Sequence, residues 1–561
     1  MRSVSAVALL FVSLVVGGSA RAADYYLAPD GADTNPGSMA QPFRSLERAQ
    51  MAAAPGDTVY IRGGIYRFSG TQATVGVSFT KSGQSGKPIR YFAFAGEVPI
   101  FDLFELKPQE RVTGLDVRCN WIHLRGLEVR GVRQLIVGDS WGVRIRGDHN
   151  VIEQLNVHDN QAPGIFITSG TANLILNCDS HHNYDPLEDG GNADGFGCHS
   201  NGGDNVLRGC RAYENSDDGF DFINAPGKCT VEESWSFRNG YVPDTNMAGA
   251  NGAGFKSGGF GEPPNTPASG APRHLIRKNV AFGNRAIGFY ANHHPGGIDF
   301  FNNTAFDNPA NYDMRPPASG GTTSHKLRNN ISLAPGKDIV NFNGGTDSTN
   351  SWTLPVQVSN ADFISVDKAI ALKPRQADGS LPDMGFARLA QGSDLIDCGE
   401  DVGIPFTGKA PDLGAYEFGE VAPTDAGMPD AGPPGMDAGA PMPGTAGSKA
   451  PPPATSMDAA VPMQPSAAGT RASQPMAAGA RAPAVNAGAP ASAAAGAAAG
   501  TGTSTSAVAA AGSGGASSAM ASEGCGCRLG QAQPRGAIGG WLVALLVLGF
   551  AVRRRRTKGC S

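Results

Sequence analysis

"NVAFGNRAIGFYANHHPGGIDFFNNTAFDN", residues 279–308, contains one short pattern twice: an alternating apolar stretch that ends in asparagine, at Asn284 and again at Asn308. Six such stretches occur along the chain, and they end at Asn160, Asn183, Asn215, Asn239, Asn284 and Asn308. The steps between these asparagines are 23, 32, 24, 45 and 24 residues. A basic repeat of 22 to 24 residues with two insertions accounts for this spacing.

A second column of residues keeps the same register. In each repeat a glycine is followed by an apolar residue, at Gly142, Gly164, Gly195, Gly219, Gly254 and Gly288. Short alternating strands at a period of about 20 to 25 residues, with asparagine and glycine at the bends, are typical of a solenoid. Because parallel crossovers are overwhelmingly right-handed, the sequence predicts an all-β fold, a right-handed parallel β-helix. A leucine-rich horseshoe is the alternative, but its L-x-x-L-x-L pattern is missing.

Composition divides the chain into four parts. Residues 1–22 combine an early arginine, an apolar run and small residues, which predicts a cleaved signal peptide. Residues 23–419 carry the repeats and are predicted to form the β-helix. Within them, residues 45–67 read as a short amphipathic helix that runs into the first strand and caps the open end of the stack.

The last two parts predict attachment to a surface. Residues 420–522 are rich in Pro, Ala, Gly and Ser and lack the apolar surface for a core, so we expect a disordered linker. Residues 523–561 contain "GCGC", a short apolar run and four arginines, which predicts a short transmembrane segment. The expected location is therefore secreted, anchored at the cell surface or outer membrane by this tail. The net charge of -5 gives no basic footprint for nucleic acid.

The repeat brings acidic residues together. Asp194 and Asp218 each precede the glycine of their coil, so they stack roughly 4.8 Å apart. Asp221 and Lys256 each lie two residues after the glycine, and alternation turns this column outward, onto an exposed face. With Asp217, four carboxylates from two coils meet one lysine from the next.

Clustered carboxylates repel one another unless a cation lies between them, and an oxygen-only shell suits Ca²⁺. We therefore expect a calcium site formed by Asp194, Asp217, Asp218 and Asp221. Two simpler readings stay open: "DDG" is a common turn sequence, and Lys256 beside Asp221 is compatible with a surface ion pair of little energetic weight.

Histidines and cysteines give weaker signals. His181, His182 and the "NHHP" pair at His293 and His294 fall at bends, which predicts solvated turn residues rather than ligands of a transition metal. Two cysteines, Cys178 and Cys210, occupy one column in adjacent coils, so they either form a disulfide or pack as an inward ladder of thiols.

The motifs "NADGFGCHSNGGDN", "ENSDDGFDF" and "GAGFKSGG", followed by the stretch quoted first, resemble the pectate lyases of polysaccharide lyase family nine. The resemblance implies a right-handed β-helix that holds Ca²⁺ through Asp194, Asp217, Asp218 and Asp221, with Lys256 as the catalytic base. The implied reaction is β-elimination in an acidic polysaccharide, pectate or polygalacturonate, by a monomeric enzyme. The tail also resembles a myxobacterial surface-sorting segment.

Two other functions remain open at this stage. A β-helix polygalacturonase would use clustered aspartates as general acid and base around a water, without calcium or lysine. A surface adhesin would bind acidic glycan through calcium without turnover. The sequence does not distinguish endo from exo cleavage, nor one uronan from another.

Overall fold

The computed structural model describes residues 22–138, 140–260, 270–317, 322–334 and 336–419. The predicted signal peptide, linker and C-terminal anchor, residues 1–22, 420–522 and 523–561, lie outside these ranges apart from residue 22. Within the described ranges, no helix is long and apolar enough to span a bilayer.

The chain winds into coils whose short strands form three parallel sheets, as the repeat predicted. In the described ranges the first sheet has twelve strands: Asp24–Leu27, Thr58–Ile61, Ile89–Ala93, Ile122–Arg125, Val151–Glu153, Leu174–Leu176, Asn205–Arg208, Cys229–Glu232, His274–Arg277, Ile298–Phe301, Lys326–Arg328 and Thr346–Ser348. The second, which we call the site sheet, has ten: Val75–Phe79, Thr113–Val117, Trp141–Ile145, Ile165–Ile167, Phe196–Cys198, Phe220–Asp221, Ala253–Lys256, Ile287–Tyr290, Ala310–Asp313 and Lys337–Val340. The third also has ten: Gly64–Gly70, Pro99–Leu106, Glu128–Arg130, Asn156–His158, Asp179–His181, Arg211–Tyr213, Trp235–Phe237, Val280–Phe282, Thr304–Phe306 and Ile331–Leu333.

Apolar side chains stack in register inside the coils. On the site sheet Phe196 pairs with Phe220, Phe220 with Phe255, and Phe255 with Phe289. Their ring centroids lie 4.9, 4.7 and 4.9 Å apart. Burying one such ring contributes up to about 3 kcal/mol, and ring pairing adds roughly 1 kcal/mol more. The six glycines of the repeat lie at the start of six successive site-sheet strands, from Trp141–Ile145 to Ile287–Tyr290.

The repeated asparagines form a buried ladder rather than solvated bends. Asn183 Nδ2 donates to Asn215 Oδ1 at 2.8 Å, and Asn215 Nδ2 donates to Asn239 Oδ1 at 3.0 Å. The same bond joins each of the six asparagines to the next. The residue before each asparagine adopts the left-handed conformation or is glycine, with φ of 53° at His182 and 52° at Glu214. The ladder satisfies buried amides at the corner where the chain leaves the third sheet.

A short α-helix, Leu46–Ala52, covers one end of the stack within the predicted span. Gln50 Nε2 donates to Ser78 O at 3.0 Å, and Gln50 Oε1 accepts from Thr80 N at 3.1 Å. Val75–Phe79 is the edge strand of the site sheet, so no further strand hydrogen-bonds to its outer side. The Gln50 side chain forms hydrogen bonds with backbone groups there instead. The prediction is wrong in one detail: Asp24–Leu27 precedes the helix, so the helix does not lead into the first strand.

Three 3₁₀ helices complete the helical elements of the described residues: Pro186–Glu188, Asn360–Asp362 and Lys368–Leu372.

The disulfide joins Cys198 and Cys229, not Cys178 and Cys210. The latter two are buried free thiols that pack inward, one coil above the other. Cys178 Sγ lies 3.4 Å from Ile152 O, and Cys210 Sγ lies 3.6 Å from Ile175 O, so each thiol donates to a carbonyl of the preceding coil. Of the two alternatives, the inward ladder is the observed one.

After the last strand, residues 349–419 pack across the third sheet and bury a second apolar cluster that includes Trp235, Phe282 and Phe386. Asp179 attaches this segment: Arg375 Nη2 donates to its Oδ1 at 2.7 Å and Arg211 Nη2 to its Oδ2 at 2.8 Å. Arg211 Nη1 also donates to Ala371 O at 2.6 Å. Burial acts to raise the pKa of Asp179, but Arg375 and Arg211 hold it well below its ordinary value.

Asp179→Asn should destabilise the fold by about 3 to 5 kcal/mol, because it leaves two arginines buried without their carboxylate. Urea denaturation would measure this. Since the folded pKa of Asp179 is depressed, its contribution is present above the ordinary carboxyl pKa of about 3.9 and is lost as pH falls. The difference in unfolding free energy between wild type and Asp179→Asn should therefore decrease as the pH is lowered. Glu105→Gln, which breaks the exposed pair with Lys107, should leave the midpoint unchanged, and an equal effect of both would contradict this role.

Candidate active site

The predicted site residues meet at the middle of the site sheet. Asp221 and Lys256 are paired neighbours on adjacent strands. Asp194 and Asp218 lie in adjacent coils, where Gly195 N donates to Asp218 O at 3.0 Å. Asp217 immediately precedes Asp218 in the turn before the strand Phe220–Asp221. The structure thus brings the four aspartates and the lysine of three successive coils into one place.

Lys256 lies against two of these carboxylates. Its Nζ is 3.0 Å from Asp221 Oδ2 and 3.1 Å from Asp218 Oδ2. One carboxylate oxygen from each of Asp194, Asp218 and Asp221 lies within 4.8 Å of the other two. Asp217 does not belong to this group of three, and its Oδ1 accepts from Asn251 N at 2.8 Å.

Backbone amides orient the carboxylates. Asp194 Oδ1 accepts from Asp218 N at 3.0 Å, Asp218 Oδ1 accepts from Ala253 N at 2.6 Å, and Asp221 Oδ1 accepts from Ile223 N at 2.7 Å. Each of these three side chains has one oxygen fixed by the backbone, while the second oxygen is available to the centre of the cluster. The buried Oδ2 of Asp218 faces the ammonium of Lys256 at 3.1 Å.

The cluster is buried, contrary to the expectation of an exposed face. Asp218 is 0% exposed and Lys256 is 8% exposed. The column does point away from the core, but the insertion after Gly240 reaches the cluster, where Asn251 N donates to Asp217, and Ala253 N of the following strand donates to Asp218. An ion pair here is therefore not the solvated surface pair that outward alternation suggested.

Burial and the neighbouring charges shift the pKa values of four groups in the cluster: Asp194, Asp217, Asp218 and Lys256. Burial raises the pKa of Asp194, Asp217 and Asp218, and neighbouring carboxylates raise those of Asp194 and Asp217 further. Burial alone would lower the pKa of the Lys256 ammonium. The negative charges of Asp221, Asp218 and the two other aspartates have the larger effect and hold this pKa well above its ordinary value. Without an added cation, Lys256 is the positive charge that keeps these carboxylates together.

Tyr290, which had no role in the sequence analysis, pairs with Lys256 on the next strand, in the same outward column. His294 was predicted to be a solvated turn residue. His294 is buried rather than solvated: its Nδ1 accepts from Gly259 N at 3.2 Å, and its Nε2 lies 2.8 Å from Pro272 O. The prediction for His294 is wrong because the insertion packs over its bend. Tyr290 could have been found from the sequence, because it occupies the same repeat position as Asp221 and Lys256. Asn251 could not, because it lies in an insertion that has no counterpart in the other repeats.

Three comparisons with known proteins show what this chain is similar to. A pectate lyase L from Dickeya chrysanthemi is 37% identical over 402 residues, which cover 70% of this chain and 90% of that protein. The solved structure of pectate lyase Pel9A is 36% identical with a TM-score of 0.61, covering 70% of this chain and 96% of that one. A solved rhamnogalacturonan lyase is 38% identical with a TM-score of 0.63, covering 66% and 96%.

These similarities define a polysaccharide lyase. The family model described as "Pel9A-like, right handed beta helix region" matches residues 25–330, and the chain belongs to this family. The hydrolase and adhesin alternatives are therefore set aside.

Lys256→Met should lower the stability of the chelator-treated protein by roughly 3 kcal/mol, because it removes the ammonium that lies against the buried carboxylates of Asp218 and Asp221. Urea denaturation in excess chelator would measure the loss. Lys107→Met, at an exposed ion pair, is the matched control and should change little. If both variants unfold at the wild-type midpoint, Lys256 does not hold the cluster together.

Proposed function

We propose that the chain is a calcium-dependent pectate lyase that cleaves 1,4-linked galacturonan by β-elimination, with Lys256 as the base. The observation that carries this proposal is the position of Lys256 Nζ, 3.0 Å from Asp221 and 3.1 Å from Asp218 in a buried cluster of carboxylates. The pectate lyase relatives support the reaction and an acidic polysaccharide as substrate.

The residues fit Ca²⁺. Asp194, Asp218 and Asp221 offer oxygen atoms only, within 4.8 Å of one another, and hard cations prefer such ligands. Asp218 Oδ2 and Asp221 Oδ2 both face the cation already present, the ammonium of Lys256 at 3.1 and 3.0 Å, so these oxygens are directed at a point that carries positive charge. Asp217 would complete the set at the edge of the cluster, where Asn251 orients it.

The chemistry begins at C5 of a uronate residue, next to its carboxylate. When bound, Ca²⁺ supplies positive charge that stabilises the negative charge developing there. Lys256 takes the C5 proton on Nζ, the electron pair forms the C4–C5 double bond, and the C4–O4 bond breaks. The leaving oxygen receives a proton from solvent. The products are a 4,5-unsaturated uronide and a shortened chain, with no water added across the bond.

Lys256 must be neutral to accept this proton, yet the aspartates hold its pKa well above the ordinary value. Neutralising the aspartates removes the interaction that keeps the lysine charged. The same carboxylates therefore make deprotonation of Lys256 depend on the cation that they bind. This dependence supports calcium as an obligatory component rather than an accessory.

A second candidate substrate is rhamnogalacturonan, since the solved rhamnogalacturonan lyase is as similar to this chain as Pel9A is. Both substrates contain galacturonate, so the same base and cation would serve. Parallel assays on the two polymers decide between them.

We also propose that the enzyme is a secreted monomer held at the cell surface by its tail. This rests on the signal-peptide pattern and on the "GCGC", apolar and arginine order of residues 523–561. It binds no nucleic acid, in keeping with the net charge of -5.

Excess chelator should abolish the formation of unsaturated product from polygalacturonate, and added Ca²⁺ should restore it. Asp218→Asn removes one charge from the shared set, so the calcium concentration for half-maximal rate should rise at least tenfold. Asp378→Asn, on an exposed turn away from the site, is the control and should behave as wild type. Full activity in chelator would refute the proposed role of calcium.

Lys256→Arg should lose nearly all activity, at least a thousandfold, because guanidinium does not give up its proton in the accessible pH range. The ultraviolet absorbance of the unsaturated product measures the rate, and calorimetry with Ca²⁺ shows whether the metal still binds. The wild-type rate should rise toward alkaline pH as neutral lysine is populated. An arginine variant that keeps most of the rate would make Lys256 a substrate clamp and place the base elsewhere.

A further inference from the structure

A second group of potential metal ligands lies at the corner after the third sheet. His182 Nε2 is 2.8 Å from Glu214 Oε2 and 3.4 Å from Asp244 Oδ1. His182 and Glu214 are equivalent residues of adjacent coils, each just before an asparagine of the buried ladder. Asp244 comes from the insertion that follows Gly240. Two coils and one insertion thus converge on a single imidazole nitrogen.

The hydrogen bonds assign the tautomer of His182. Asn156 Oδ1 lies 3.0 Å from His181 Nε2 and accepts its proton, which leaves His181 Nδ1 as an acceptor. His182 Nδ1 lies 2.7 Å from His181 Nδ1 and must donate to it. A neutral His182 therefore directs the lone pair of Nε2 toward two carboxylates, an arrangement that requires a positive charge at that point.

The two carboxylates, Glu214 and Asp244, each have an oxygen directed toward His182. Glu214 Oε1 accepts from Arg238 Nε at 2.9 Å, which leaves Oε2 for the side of His182. Asp244 reaches the site from an exposed position on the insertion, and its side chain is 84% exposed. Metal-binding histidines usually donate their second N–H to a neighbouring group, and metal-binding carboxylates are usually hydrogen-bonded in turn.

We propose that His182, Glu214 and Asp244 bind a divalent transition metal of the Zn²⁺ type. One imidazole nitrogen with two carboxylate oxygens suits Zn²⁺, whereas Ca²⁺ prefers oxygen ligands alone. Zinc ligands at about 2.0 to 2.1 Å in tetrahedral geometry are separated by about 3.3 Å. The distance to Asp244 already matches, and Glu214 would move by about half an ångström.

The metal would fix the insertion that covers the active site. Tyr241 and Ala248 bridge to close the loop that carries Asp244. The chain then continues to Ala250, whose N donates to Ser216 O at 2.7 Å, and to Asn251, whose N donates to Asp217. A cation at Asp244 would therefore anchor one end of a segment whose other end orients an aspartate of the calcium cluster.

A proton on His182 Nε2 is the competing occupant. Glu214 raises the pKa of this imidazole, with Asp244 and Asp159 adding to the effect, while burial opposes them; Arg238 is paired with the other oxygen of Glu214. Protonation would give an ion pair in place of a metal site. The two occupants differ in one measurable property, the uptake of zinc.

Calorimetric titration of Zn²⁺ into the full chain at pH 8, with excess Ca²⁺ to saturate the oxygen cluster, tests the proposal. Wild type should bind one more zinc ion per chain than His182→Gln, and cysteines of the tail contribute equally to both. Asp244→Asn changes an exposed residue, so it keeps the fold and should weaken this binding at least tenfold. Zinc should also protect residues 241–248 of wild type, but not of either variant, from limited proteolysis.

His123→Gln is the matched control, because His123 also pairs with a carboxylate, Glu153 at 2.6 Å, but no third ligand lies near it among the described residues. It should bind zinc as wild type does. The proposal is overturned if wild type and His182→Gln take up the same number of zinc ions, since the occupant of Nε2 is then a proton.

Discussion

In-register pairing of successive coils is the constraint on which the rest of this molecule depends. Because each strand lies directly beside its equivalent in the next coil, every side chain meets a counterpart at the strand spacing of roughly 4.8 Å. Apolar and amide side chains gain from this repetition: the phenylalanines of the site sheet stack at 4.7 to 4.9 Å, and the ladder asparagines hydrogen-bond to one another. Charged side chains do not gain, since like charges at this distance repel.

The chain places carboxylates in such columns at one point and balances them with a column neighbour of opposite charge. Asp221 is followed in its column by Lys256, and Asp218 shares the same ammonium. A buried ion pair of this kind adds little net stability, because desolvation offsets attraction. The arrangement is better understood through function. It holds the carboxylate oxygens of Asp218 and Asp221 in fixed positions around the Lys256 ammonium, a positive charge that a metal ion can replace.

Periodicity explains which parts of the structure were predictable. The glycine and asparagine columns predicted the parallel β-helix, and they placed Asp221 beside Lys256 because both lie at one position of the repeat. Insertions have no repeat, so the burial of Lys256, the amide of Asn251 and the surroundings of His294 were not predictable. The disulfide was missed for the same reason: Cys198 and Cys229 occupy different positions of their coils, and column matching compares only equivalent ones.

The insertion after Gly240 changes the chemistry of residues that the repeat alone would leave in solvent. On a bare strand face, Lys256 and the aspartates would be screened by water, and their mutual influence would be small. In the folded chain, where Asn251 of the insertion contacts Asp217, the same groups are buried; burial raises the pKa of Asp218, and the neighbouring aspartates raise that of Lys256. The repeat therefore supplies the positions of the charged groups, and the insertion adds a backbone donor to one of them, Asn251 N to Asp217 Oδ1. The same insertion carries Asp244, whose Oδ1 lies 3.4 Å from His182 Nε2, so one short segment contacts both the aspartate cluster and the corner after the third sheet.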